Sequence, residues 1–337
     1  VITVRLPSIP HQIPLFVLFR ALGVESDKEI LEYILYELDS EKAELFMDKL
    51  LPTIENSWNI FTQSEAINYL AQLTVGNTTN HLMSIIETDV FPHIGDDLNI
   101  NPYLIEKAIT KRTKAIMPVH WTGRVSNMDK IIKIAKKFNL IVIEDAAQAM
   151  GAYFNNKHAG TFGKISGFSA HPFKNLNAVG DAGFIVTNEK RLYEKIKMYR
   201  NHGLKGRDNV EIEGVNSRLD SLHAEVLRFR LKRLKNIISR KSKNINLYKK
   251  YLKTEHCKII PEGKYEKSSH SMFVTLCKDR DKLQKYLERF KIQSRIYYKT
   301  PLHLYKATKY LKYKKGDLPK AEEFSRNFLS LQYHQHL

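Results

Sequence analysis

One stretch of the chain limits its fold more than any other. Thr113–Val119 is a short apolar run. Asn127–Phe138 follows with apolar residues at helical spacing (Met128, Ile131, Ile132, Ile134, Ala135), and Leu140–Ile143 is a second apolar run ending on Glu144–Asp145. Two strands bracketing one helix make a βαβ unit, so the strands are expected to be parallel and the chain to be of the α/β class. An acid at the C-terminal end of a parallel strand lies on the rim where such folds bind ligands.

Further strands are expected at Ile165–Ala170 and Ala182–Thr187, with a helix over Glu189–Arg200. Arg218 to about Tyr251 reads as one long helix with a buried stripe of Leu219, Leu222, Val226, Leu227, Leu231 and Leu234. A smaller α/β region follows, with a strand at Met272–Leu276 and helices at Lys282–Phe290 and Pro319–Leu329. Residues 1–95 read as mainly helical. Ser26 is placed to cap one helix with Glu29 at its third position, and Ser40–Leu51, Gln63–Leu73 and Asn80–Val90 are also periodic.

Charge divides the chain at nearly the same place. Residues 1–95 carry 5 Lys+Arg against 13 Asp+Glu, whereas residues 96–337 carry 49 against 23. Attraction to anions is one reading of the basic part. A solvated lysine surface is the simpler one, and no basic stretch interleaved with aromatics suggests a single-strand reader. Two cysteines, Cys257 and Cys277, exclude a disulfide framework and point to a reducing cytoplasm. No apolar run is long enough for a membrane span, and no signal peptide is evident. His334-Gln-His336 has no matching carboxylate or cysteine set, so no metal is expected.

The candidate chemistry lies in two segments, Ile143-Glu-Asp-Ala-Ala-Gln148 and Phe168-Ser-Ala-His-Pro-Phe-Lys-Asn175, the latter followed by Gly180-Asp-Ala-Gly183. A lysine after a buried strand, once desolvated, becomes a nucleophilic amine suited to imine chemistry. An aspartate facing a pyridinium nitrogen is the electronic partner that pyridoxal phosphate requires. Taken alone, each residue has a plainer reading: Lys174 on the surface, Asp145 or Asn216 as helix caps, Ser169 as a satisfied strand hydroxyl.

Six segments in order alter that balance. Pro118-Val-His-Trp-Thr-Gly123, Glu144-Asp-Ala-Ala-Gln148, the Phe168–Asn175 segment, Gly180-Asp-x-Gly183, Arg200-Asn-His-Gly203 and Gly214-Val-Asn-Ser-Arg-Leu-Asp220 resemble the DegT/DnrJ sugar aminotransferases, which are fold-type I pyridoxal phosphate enzymes. The resemblance implies that Lys174 bonds to the cofactor and acts as acid and base. It implies that Asp145 holds the pyridine nitrogen protonated, that Gln148 contacts the ring, and that Ser169 bonds the phosphate. Asn216 would reach the phosphate of a neighbouring subunit in a homodimer. His120 and His171 become candidate pocket residues. The implied reaction moves an amino group from an amino acid, glutamate by expectation, to a keto group of a nucleotide-activated deoxysugar. Lysine at 174, where some relatives carry histidine and dehydrate sugars, argues for transamination. Ala170 replaces a common aromatic residue, and Gln332-Tyr333 a proline-containing pair.

The family normally carries about another hundred residues before this part, including the turn that cradles the cofactor phosphate. The nearest candidate, Gly76-Asn-Thr-Thr79, has the wrong context. Instead, Ile13–Gly23, Asp27–Tyr36, Ala66–Leu70 and Val90–Ile94 resemble the second-largest subunit of multisubunit RNA polymerases. The expected organisation is therefore a helical polymerase-like fragment at 1–95, a cofactor-binding large domain at 96–235 lacking its start, and a small C-terminal α/β domain at 236–337 lacking a last helix. The join falls near Phe91–Asp97, by natural fusion or by an assembly artefact. The competing expectations are a non-catalytic polymerase fragment, with nucleic acid as partner only within a polymerase, and a catalytically dead chimera.

Overall fold

The computed structural model describes residues 2–4 and 94–335, apart from 112 and 253. The helices expected within residues 1–95, the Gly76–Thr79 turn and His336 lie outside the described residues. The strands are β1 (Ile2–Val4), β2 (Ala115–Ile116), β3 (Ile141–Asp145), β4 (Tyr153–Phe154), β5 (Lys157–His158), β6 (Ile165–Ser169), β7 (Gly183–Val186), β8 (Cys257–Ile259), β9 (Glu266–Lys267), β10 (Val274–Cys277), β11 (Ser294–Arg295) and β12 (Phe328–Leu331). The helices are α1 (Pro102–Ala108), α2 (Met128–Lys137), α3 (Lys190–Tyr199), α4 (Ser221–Leu231), α5 (Leu234–Tyr251), α6 (Arg280–Arg289) and α7 (Pro319–Asn327).

The larger sheet has the order β1-β7-β6-β3-β2. Strands β2, β3 and β6 are parallel, and β7 returns antiparallel to β6. The βαβ unit read from the sequence is therefore present. Helix α2 forms where it does because Asn127 caps it, Oδ1 accepting from Lys130 N at 3.3 Å, with Asp129 in the first turn and Lys136 and Lys137 in the last. Met128, Ile131, Ile134 and Ala135 form its inward stripe and pack into the core with Ile116, Val142 and Phe168.

A second sheet, β11-β12-β10-β8, forms the smaller α/β part. Cys257 and Cys277 sit directly opposite one another on β8 and β10 and are joined by a disulfide, where the sequence reading expected no disulfide framework. The two parts of the chain are tied together by Arg124. Its guanidinium grips Glu266 through two 2.8 Å bonds and reaches Pro261 O at 2.8 Å. Gly123, at φ 88°, brings the chain so close to Ser269 that a Cβ there would lie 2.4 Å from its Oγ.

Two sequence expectations are corrected. The long helix breaks at Lys232–Arg233 into α4 and α5. Of its predicted stripe, Leu227 and Leu234 are buried, but Leu222 is 70% exposed and Leu231 49%. The buried positions are instead His223, Leu227, Leu234, Lys241 and Ile245, a stripe offset from the predicted one. The Pro319–Leu329 helix ends at Asn327, and Phe328–Leu331 turns into β12, the fully buried strand between β11 and β10.

Behind the rim of the larger sheet lies one buried carboxylate. Glu144 is 0% exposed and accepts from His120 Nε2 at 2.8 Å and from the backbone N–H of Gly160, Phe162 and Gly163 at 2.7, 2.6 and 2.5 Å. Burial pushes its pKa up, but the His120 bond and the Gly163 and Gly160 amides outweigh this and hold it below the usual range. Glu144→Ala orphans four buried donors and is expected to lower the unfolding free energy by at least ~3 kcal/mol in a urea titration. Because its folded pKa is depressed, Glu144's contribution is complete above about pH 4.3 and is lost as pH falls through the lowered folded value. A variant with an unchanged urea midpoint and acid limb would refute this role.

Candidate active site

Side chains alternate along a strand, so Asp145 faces the opposite way from Glu144. It ends β3, beside the end of β6, with Ala146 N donating to Gly167 O at 2.9 Å. Its Oδ1 accepts from Ala147 N at 2.9 Å, and the other carboxylate oxygen has no hydrogen-bond partner among the described residues. Burial pushes the Asp145 carboxyl up. The Ala147 amide, the Lys174 ammonium and His120 pull it back.

Lys174 sits in the turn after β6, with Lys174 N donating to His171 O at 2.9 Å. Desolvation pushes its amine below the ordinary lysine range, and the Asp145 carboxylate opposes that shift. The structure thus brings together two residues 29 positions apart in sequence as an electrostatic pair on the C-terminal rim.

Gln148 lies in the turn after Asp145. Its Oε1 accepts from Thr122 N at 2.8 Å, which leaves the amide N–H groups for other partners. Ser169 closes β6, buried, and its Oγ accepts from His171 N at 3.3 Å, so its own O–H can be donated outward. His171 Nδ1 accepts from Phe173 N at 3.2 Å, and its Nε2 lies 3.8 Å from Asp181. Gln148, Ser169 and His171 lie with Lys174 in the turns at the ends of β3 and β6.

Two predicted residues are placed elsewhere. His120 is fully buried, with Nδ1 accepting from Ser126 N at 3.2 Å and Nε2 donating to Glu144. Both ring nitrogens are engaged behind the sheet rim, so it braces the core and presents no atom to a pocket. Asn216 is exposed. Its Oδ1 accepts from Arg218 Nε at 3.0 Å and its backbone bridges Asn201.

The sequence reading missed Trp121 and Tyr298. The Trp121 ring packs on Tyr298 at 5.8 Å and on Phe328 at 5.1 Å between centroids. Burial pushes the Tyr298 hydroxyl up, and the nearby Trp121 and Gln148 side chains oppose that shift. Trp121 lies inside the Pro118–Gly123 segment. Tyr298 is 150 residues from Gln148 and carries no local signal. A separate open groove of about 780 Å³ runs along β11 and β12, and none of Asp145, Gln148, Ser169 or Lys174 lines it. Among the described residues no group of three or more His, Cys, Asp or Glu side chains is placed to hold a metal.

A mostly parallel sheet whose rim pairs a carboxylate with a desolvated lysine, next to a smaller α/β part, is the fold-type I pyridoxal phosphate transferase architecture. A family model described as the DegT/DnrJ/EryC1/StrS aminotransferase family matches residues 71–337. The chain belongs to that family. A second model, RNA polymerase Rpb2 domain 2, matches residues 1–87. A Geobacillus stearothermophilus protein named pleiotropic regulatory protein is 38% identical over 69% of this chain and 63% of its own length. The Streptomyces venezuelae dTDP-3-amino-3,4,6-trideoxy-alpha-D-glucose transaminase is 36% identical over 74% of this chain and 65% of its own length. The chain therefore spans just under two thirds of these curated relatives. The crystal structure of S. venezuelae DesV in complex with a ketimine intermediate superposes with a TM-score of 0.72 at 27% identity, covering 99% of this chain and 94% of that one.

The cofactor of this family is pyridoxal phosphate, and the residues present fit it. Lys174 offers a desolvated amine, Asp145 a carboxylate oxygen for a ring N–H, Gln148 amide donors and Ser169 a hydroxyl. Since Asp145 raises the Lys174 pKa against burial, Asp145→Asn is expected to lower it further. Competitive acylation of Lys174 against pH in the cofactor-free chain measures the shift. A rise instead would show that the two groups do not interact.

Proposed function

We propose that this chain is an aminotransferase that moves an amino group from an amino acid, glutamate by expectation, to the keto carbon of a nucleotide-activated deoxysugar. The observation that carries the reading is the Lys174–Asp145 pair on the rim of β3 and β6. The bound cofactor supplies an electron sink for the pair left when a Cα–H proton departs. Lys174, its neutral fraction raised by burial, takes that proton from the donor carbon and returns it at the cofactor-side carbon. Asp145, whose ionised form the Ala147 amide favours against the upward push of burial, would hold a proton on the ring nitrogen. Gln148 would orient the ring through its amide, and Ser169 would donate to the phosphate.

The expected partner is a second copy of this chain. Phe173 (80% exposed) and Val179 flank the Lys174 turn, and Leu222 and Phe229 are exposed on α4 beside it. Arg230 bonds Asn177, and Gly180 lies against His223, so these side chains share one apolar face next to the site. Asn216, placed outside its own site, is available to complete the partner's. The proposed organisation is a polymerase-like segment at 1–95, a large domain at 96–235 and a small one at 236–337; the first segment, although its β1 pairs with β7 in the larger sheet, lends no group to the chemistry. No helix among the described residues is long and apolar enough to cross a membrane. A cytoplasmic location is proposed from the sequence, which has two cysteines and no disulfide framework.

Borohydride reduction after incubation with pyridoxal phosphate, followed by peptide mapping, tests the function. A pyridoxyl adduct on Lys174, absent in Lys174→Ala and diminished by prior incubation with glutamate, is the expected result. No adduct, or one scattered over surface lysines, overturns it. Sedimentation equilibrium is expected to show a dimer that the Leu222→Glu/Phe229→Glu variant dissociates. A monomeric wild type refutes the dimer.

A further inference from the structure

Lys241 lies on the inward stripe of α5 with Leu234 and Ile245, and only 7% of it is exposed. A buried ammonium is normally paired with a carboxylate. Among the described residues none lies within ion-pair distance of this one. Its Nζ donates to Asn175 Oδ1 at 2.6 Å and stands 5.1 Å from the centroid of the Tyr333 ring. Asn175, 5% exposed and next to Lys174 in the chain, passes the connection on: its Nδ2 donates to Ser269 O at 2.6 Å. Ser269 in turn bonds Gly123 O through its N–H at 2.9 Å, and its hydroxyl lies 3.2 Å from Gln148 O. One bond from α5 therefore reaches the lysine turn, the loop leading into β10, and the turn that carries Gln148.

A carboxamide can face either way, and its partners decide which. A cationic donor at Oδ1 obliges the Asn175 N–H groups to face Ser269 O. We propose that Lys241 is a positioning residue for Lys174: its bond to Asn175 Oδ1 fixes that carboxamide and, with it, the turn that keeps the Lys174 amine desolvated opposite Asp145. The inference rests on Lys174 being the cofactor lysine. Burial alone lowers the Lys241 pKa, to about 8. Charged groups near it are few. His270 feels Lys241, Lys249, Glu262 and Glu266, and Tyr333 presents its ring face. At the other end of the connection, Asp145 is the charge that faces Lys174.

The test reads Lys174 itself in the cofactor-free full chain, by competitive acylation with acetic anhydride across the neutral to alkaline range and mass spectrometry of its peptide. The wild-type midpoint is expected below the ordinary lysine value of 10.5. Lys241→Met, by letting water reach the turn, is expected to raise it by about one pH unit. Asn175→Ala should do the same, the double variant should add nothing, and Lys241→Arg should restore the wild-type midpoint. If Lys241→Met does not fold, Asn175→Ala and Lys241→Arg carry the comparison. A Lys241→Met variant that loses thermal stability while Lys174 titrates as in the wild type overturns the inference, as does an unchanged midpoint in Asn175→Ala. A wild-type Lys174 that titrates as an ordinary surface lysine overturns both this inference and the proposed function, whereas the preceding outcomes leave that function standing.

Discussion

The Glu144 carboxylate is the interaction on which the rest of the molecule depends. It is buried where an uncompensated charge would be prohibitive, and it is stable there because four donors converge on it. Those donors come from the turn after β2 and from the loop that feeds β6. One side chain therefore sets the position of the two segments flanking β3. His120 is committed to it, and through His120 N, which donates to Asp145 O at 3.0 Å, so is the backbone of the site aspartate. Asp145 can face the ligand rim because its neighbour faces the core.

Desolvation then supplies the chemistry. The same low-polarity surroundings push Asp145 up and Lys174 down, and each charge opposes the shift of the other. A lysine in water would remain almost wholly protonated at neutral pH. This lysine is half-buried, in a turn whose next residue is tied to α5 and to the loop before β10. The contact between Gly123 and Ser269 matters for the same reason, because it leaves no room for the two loops to separate by a side chain.

Much of this was legible in residue order. The βαβ unit announced itself through the change from apolar run to helical period and back, and Asp145, Gln148, Ser169 and Lys174 stand in short motifs next to strand ends. What failed depended on neighbours distant in sequence. His120 looked like a pocket residue because its motif is near the site, yet side-chain direction put it behind the sheet. Leu222 and Leu231 have the same spacing as core leucines, but α4 turns His223 and Leu227 inward and leaves them on its exposed side. Tyr298 gave no signal at all, since its role comes from a contact with Trp121 and Gln148 across the chain. Lys241 was hidden in a lysine-rich helix, where a solvated side chain is the ordinary expectation.

By itself, the sequence determined the fold class, the four strands β2, β3, β6 and β7, and the family, and it singled out Lys174 and Asp145 as the candidate pair. It could do so because backbone periodicity and turn chemistry are local properties. Which side of a sheet rim a histidine faces, which lysine is buried, and which leucines are left to solvent are decided by packing between segments more than a hundred residues apart. Tertiary structure alone joined α5 to Asn175 and Tyr298 to Gln148, because burial and charge pairing depend on what surrounds a side chain in space and not on what precedes it in the chain.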